Sequence, residues 1–185
     1  MLPPMPLAYP DPPLERDGVR LRPWSLDDLE DVVRCCNDDQ VRRFLPPIPI
    51  PYTSFDAEEF ITGAGEALER DSLTMVASDA ASSALLGAVG MRLLEPQVVQ
   101  FGYWVDPEAR GRGVATTTLT LISRWALHTL APARLQLFTD VENEISMRVA
   151  ERAGFIREGT LRNWYDLRGE RRDAVMFSLL PGDLA

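Results

Sequence analysis

Arg110-Gly-Arg-Gly-Val-Ala115 is the segment of this 185-residue chain whose residue types are suited to chemistry. It follows a strand-like run ending at Val105 and opens the longest helical pattern in the sequence. A helix N-terminus presents unpaired backbone N–H groups and the positive end of the helix dipole. Gly111 and Gly113 permit φ > 0 and let the backbone approach an anion closely. The segment therefore suits a phosphate or pyrophosphate, although an Arg-Gly turn by itself also suits an ordinary surface loop. It is not a Walker loop, because no Gly-Lys-Ser/Thr ending follows. Nor is it the dinucleotide Gly-x-Gly-x-x-Gly, because Thr116 stands at the third glycine position.

The elements around this turn predict a mixed α/β fold. Residues 19–24 read as a strand. Ser25-Leu-Asp-Asp28 is a capping box before apolar positions at Leu26, Leu29, Val33 and Cys36, which predicts an amphipathic helix. Prolines 46, 47, 49 and 51 exclude helix and predict an extended loop. Thr53 opens a second helix, with Phe60, Ala64, Ala67 and Leu68 expected on one face. Residues 73–78, 85–94 and 98–105 read as strands, and 113–130 as a long helix buried against a sheet. A strand at 134–139, a helix at 143–153, Gly154 at its end and strands at 155–160 and 173–180 complete the pattern, with a polar and aromatic connection over 162–172. About seven mostly antiparallel strands with helices on both faces are expected. Residues 1–17 read as a flexible or extended lead-in, and 18–185 as one domain.

Composition removes several function classes. A net charge of −9 argues against a nucleic-acid partner. All 19 basic residues are arginine, so no lysine Schiff base is possible. One histidine and the adjacent Cys35 and Cys36 leave no metal-ligand cluster and no ordinary disulfide. No apolar run is long enough to span a bilayer, and the proline-rich N-terminus does not read as a signal peptide. A cytoplasmic protein without a membrane partner is expected.

The whole string Phe101-Gly-Tyr-Trp-Val-Asp-Pro-Glu-Ala-Arg-Gly-Arg-Gly-Val-Ala115 resembles the acetyl-CoA signature of the GNAT acetyltransferases, in particular the Rim-type ribosomal-protein N-terminal acetyltransferases. Asn143-Glu-Ile-Ser146, Arg152-Ala-Gly-Phe155 and Glu158-Gly-Thr-Leu-Arg162 resemble further family segments, and the resemblance covers about residues 18–181. It implies an N-acetyltransferase that uses acetyl-CoA as co-substrate and an amine as acceptor, acting by direct attack in a ternary complex. The amides of Arg110, Gly111, Arg112, Gly113, Val114 and Ala115 would hold the pyrophosphate. The strand at Tyr103, Trp104 and Val105 would splay from 134–139 and admit the pantetheine arm. Asn143 would bind that arm, and Ser146 would face the sulfur. Both also read as helix-capping positions, Asn143 as N-cap and Ser146 as N3.

Aminolysis of a thioester needs a neutral amine and a polarised carbonyl, the latter by a backbone N–H near Val105. Gln100 stands where the resembled subgroup often has an acid, and Thr116, Thr117 and Thr118 stand where the family often has Glu. Glu95, Asp106, Asp166 or a water chain remain as proton acceptors, and Asp106 also reads as a turn former. Tyr165 is a candidate acid or a wall of the acceptor site. Trp24, Phe44, Trp164 and Tyr165 are the expected acceptor walls, and His128 reads as structural. The acceptor is a peptide N-terminus by resemblance to the Rim subgroup. A small amine such as an aminoglycoside or polyamine, or a CoA-binding module without turnover, are the alternatives, and the chain is expected as a monomer or homodimer.

Overall fold

The computed structural model describes residues 7–45, 48–95 and 97–183. Eight strands form one sheet in the order β1-β2-β3-β4-β5-β6-β8-β7. They are β1 (Glu15–Arg16), β2 (Val19–Arg22), β3 (Ser72–Asp79), β4 (Leu85–Glu95), β5 (Val98–Val105), β6 (Arg134–Asp140), β7 (Ile156–Leu167) and β8 (Glu170–Leu179). Every neighbouring pair is antiparallel except β5 and β6. The strand beyond the expected seven is β1, two residues inside the supposed lead-in. That lead-in is not free of the domain: Leu7 is buried, and Tyr9 and Leu14 pack on the same core.

Helices cover both faces. On one, α4 (Val114–Thr129) and α5 (Glu144–Arg152) lay Leu119, Ile122, Ala126 and Ala150 over Leu73, Val89, Phe101, Leu135, Leu137 and Phe177. On the other, α1 (Leu29–Cys36) and α3 (Ser54–Ala67) set Val32, Cys35, Ala57 and Ile61 against Val76 and Leu85. The predicted capping box forms, and the predicted helix start at Thr53 forms a second one. Ser25 and Asp28 close a 3-10 turn leading into α1, and Thr53 and Asp56 close the start of α3.

One element is new and three expectations change. Residues 39–44 form a short helix, α2 (Asp39–Phe44), capped by Asp38, whose side chain accepts the Val41 N–H. The buried face of α3 carries Ala57, Ile61 and Ala64, whereas Phe60 lies at the rim against Trp24. Leu26 is exposed rather than part of the α1 stripe. Residues 162–172 belong mostly to strands, because β7 and β8 pair out to Leu167↔Glu170 with register shifts between Leu161 and Tyr165. Of the proline loop, Pro46 and Pro47 lie outside the described residues. His128 is exposed in the last turn of α4 rather than on its buried face. None of the described helices is long and apolar enough to cross a membrane.

Candidate active site

The sheet is split in its middle. β5 and β6 pair only at Val98↔Arg134, Val99↔Leu135 and Gln100↔Gln136. Beyond that seam β5 stays with β4 as far as Gly87↔Val105, and β6 stays with β8 as far as Asp140↔Ala174. Residues 101–105 and 137–140 therefore face each other across a gap, where the family resemblance implied a splay of Tyr103–Val105 from 134–139. Gln136 marks the end of the seam by donating to the Gln100 side chain at 3.3 Å.

The glycine turn stands at the mouth of the gap. Gly111 and Gly113 have φ of 76° and 81°, and a Cβ added at either would meet nothing within 4 Å. Glycine is thus required by backbone conformation, and the space in front of the turn is open for a ligand. Gly113 is the N-cap of α4 and offers no side-chain cap, so the first amides of the helix point outward without a helical partner. The Arg110 side chain turns away to Asp38 at the start of α2. The Arg110 guanidinium is thereby committed, and the backbone of 110–115 is what the turn offers an anion. Open space, outward amides and left-handed glycines together fit a pyrophosphate.

Across the gap, Asn143 caps α5 by accepting the Ser146 N–H at 3.1 Å through Oδ1, which leaves its Nδ2 donor available. Tyr103 reaches from β5 to α5. Its hydroxyl lies 2.9 Å from Ser146 Oγ and 3.2 Å from the Ser146 carbonyl oxygen. Burial pushes the Tyr103 phenol up to about 12. Trp104, the next residue, projects to the opposite face, where it packs near Trp24.

On that opposite face the gap opens into a cleft lined by Trp24, Phe44, Phe60, Trp104, Phe138 and Tyr165 among others, and gap and cleft together enclose about 970 Å³. Trp24 is fixed by donating from Nε1 to Thr74 Oγ1 at 3.1 Å. Of the predicted walls, Trp24, Phe44 and Tyr165 line the cleft. Trp164 does not: it is 45% exposed and sits edge-on to Phe138 outside the lining.

Sequence reasoning missed Asp140. Its carboxylate is buried at the end of β6 and accepts from the Tyr165 hydroxyl at 2.6 Å, Arg172 Nε at 3.0 Å and the Glu142 N–H at 2.8 Å. Burial alone would raise its pKa, but these donors outweigh burial and hold it below the usual carboxylate range. The Tyr165 phenol is raised in turn, by burial and by the neighbouring carboxylate. Tyr165 is thereby an anchored wall and a poor acid. The partners of Asp140 come from 25 and 32 residues away. The only local signal was an acid at the end of an apolar strand.

Of the other proposed proton acceptors, Asp106 and Asp166 already have partners. Asp106 is buried, caps the 3-10 turn after β5 and is held by both Arg34 nitrogens. Asp166 accepts the Gly169 N–H in the β7–β8 turn, although it lines the outer cleft. The backbone of Glu95 ends β4 opposite Val98, at the far end of the hairpin from Val105; its side chain lies outside the described residues. Among the described residues no group of three or more His, Cys, Asp or Glu side chains could hold a metal.

A split sheet with an open glycine turn at one end and an aromatic cleft at the other suits a long phosphate-bearing ligand threaded between two strands, its far end presented to a second substrate. The comparisons agree. A model described as "Acetyltransferase (GNAT) domain" matches residues 19–156, and the chain belongs to that family: it is an acetyl-CoA-dependent N-acetyltransferase. YdaF of Bacillus subtilis (strain 168), named as a ribosomal N-acetyltransferase, is 32% identical over 98 residues, covering 52% of this chain and 54% of YdaF. The chain thus spans about half the length of that relative. The spermidine N(1)-acetyltransferase of Escherichia coli (strain K12) is 26% identical over 158 residues, 85% of this chain and 83% of that enzyme. Among solved structures, RimL, a ribosomal L7/L12 alpha-N-protein acetyltransferase in complex with coenzyme A, superposes with a TM-score of 0.80 over 91% of this chain and 97% of RimL, at 17% identity. At that identity the likeness concerns the fold.

Proposed function

We propose that the acceptor is the α-amine of a peptide or protein N-terminus. The observation that carries this reading is the charge inventory of the cleft. The described lining of the gap and cleft together contains only two carboxylates, Asp140 and Asp166. Asp140 is committed to Tyr165 and Arg172, and Gln100 replaces an acid at the seam. A polyamine keeps further ammonium groups after one nitrogen is deprotonated and needs carboxylates to pair with them. This lining is poor in them. An α-amine has an ordinary pKa of about 7.7–8.0, against about 10.4 for an alkylamine such as lysine. At about pH 7.5 roughly a third of α-amines are neutral, against about one alkylamine in a thousand, an advantage of roughly 250-fold. A site in which, among the described residues, no dedicated base is at hand suits the first kind of amine. The second reading, a small amine, rests on the name of the spermidine relative.

Bound acetyl-CoA would supply an activated acetyl group on a thiolate leaving group. The chain's own residues then do the rest. Amides of 110–115 bind the pyrophosphate. The open edge of β5 and the Asn143 side chain position the pantetheine arm. A backbone N–H near Val105 polarises the carbonyl. Ser146 donates to the departing sulfur. Trp24, Phe44, Phe60, Trp104 and Tyr165 exclude water and orient the acceptor. One proton leaves the ammonium group to solvent before attack, and a second leaves the attacking nitrogen to solvent as the thiolate departs. Expected with a peptide acceptor is a kcat/KM that rises with pH and levels at the pKa of the peptide's own amine, moving with that pKa across a peptide series. A limb fixed at a lower pH, or higher kcat/KM on spermidine than on every peptide, would overturn the reading.

A further inference from the structure

We infer that Tyr103 is a positioning residue for the leaving group, orienting the Ser146 hydroxyl so that its proton faces the gap. The inference rests on the assignment of Ser146 to the sulfur made above. Ser146 is the third residue of α5, and its hydroxyl is free to rotate. A rotating hydroxyl presents a lone pair to a developing thiolate as readily as a proton. Tyr103 removes that ambiguity. Its phenol is the better donor of the pair, and the shorter of its two contacts, 2.9 Å against 3.2 Å, is to Ser146 Oγ rather than to the carbonyl. With the phenol proton on Oγ, the serine's own proton is directed away from Tyr103.

The two side chains are fixed independently. Tyr103 sits on β5 opposite Val89 and packs against the core under α4 and α5. Asn143 holds the Ser146 backbone by capping α5. The contact therefore spans the split sheet at the strand along which the pantetheine arm is proposed to run. Tyr103 is not itself the acid. Burial keeps its phenol protonated up to about 12, far above an ordinary thiol at about 8.5. A thiolate cannot draw that proton, so the pair acts by aiming a hydrogen bond at sulfur that leaves as thiolate.

The test is a double-mutant cycle on the full chain with acetyl-CoA and a peptide acceptor, using Tyr103→Phe, Ser146→Ala and both together. Expected is a fall in kcat of about tenfold for Tyr103→Phe, with KM for acetyl-CoA within about twofold. In the Ser146→Ala background the same change should alter kcat by less than about twofold. The alkaline side of the pH profile should be unmoved by Tyr103→Phe. Multiplicative effects, a normal kcat in Tyr103→Phe, or an alkaline limb abolished by that variant would each overturn the inference while leaving the Ser146 assignment intact, provided Ser146→Ala is impaired. A normal kcat in Ser146→Ala removes that assignment and the inference together.

Discussion

Replacing Gly113 by Asp separates the anion-binding role of the glycine turn from its structural role. The residue sits at φ 81° as the N-cap of α4, and a Cβ there meets nothing within 4 Å. No clash opposes the side chain, so the cost to folding is that of a left-handed non-glycine residue, about 1 kcal/mol for Asp, which tolerates this region better than most. An aspartate can also cap α4 and recover part of it. For a chain of this size that is a fall in Tm of about 2–4 °C. Binding carries a different penalty. A carboxylate about 5 Å from a phosphate is repelled by about 1 kcal/mol in a water-like medium and about 3 kcal/mol at an effective dielectric near 20. With the crowding of the amides, CoA affinity is expected to fall tenfold or more. Titration calorimetry with CoA and a thermal melt measure the two terms separately. Gly113→Asn, with the same backbone demand and no charge, should lose distinctly less, and the gap between the variants should shrink in high salt. Unchanged affinity in Gly113→Asp, or equal losses in the Asp and Asn variants at low salt, would refute the assignment of pyrophosphate to this turn.

Trp24→Ala removes an aromatic wall held by Thr74 and should raise the KM of a peptide acceptor severalfold, with CoA affinity by calorimetry unchanged. Asp140→Asn replaces the carboxylate that holds Tyr165 and Arg172. Arg172 keeps Glu142 at 2.7 Å, so the expected loss is about 2–3 kcal/mol rather than that of a fully orphaned charge, seen as a Tm lower by about 5–10 °C. Glu158, held down to about 2 by Arg134 and by the Ser178 hydroxyl, has a folded-state pKa below its ordinary 4.5. Its contribution is present above the ordinary value and lost as pH falls through the folded one, so Glu158→Gln should flatten the acid side of the stability profile between those values.

Local features were legible in the chain. The capping residues Ser25, Asp28, Thr53 and Asp56 and the left-handed Gly113 each act within one turn of their own position. The splay of β5 from β6 was legible only through the resemblance, because no property of residues 101–105 declares that a partner strand is missing. Helix α2 was hidden by the prolines beside it and by its six-residue length, too short for a periodic pattern. The long β7–β8 hairpin was obscured because β7 is largely exposed and interrupted by register shifts, so alternation fails where pairing continues. Asp140 escaped notice for a different reason. Its importance is made by Tyr165 and Arg172 arriving from another hairpin, and no window along the sequence contains all three.

The split between β5 and β6 has a mechanical meaning. An unpaired strand edge normally lies at the rim of a sheet, where it invites aggregation. Here two such edges face inward, shielded by helices on either side. The protein is in effect two sheets stitched by three residue pairs and floored by one core, in which Phe101 and Val89 of one half share apolar contacts with Leu135, Leu137 and Phe177 of the other. The width of the slot is therefore set by side chains beneath it. A cavity made at Leu119 or Ile122, neither of which lines the gap, would change the spacing of the two edges and register as a change of affinity.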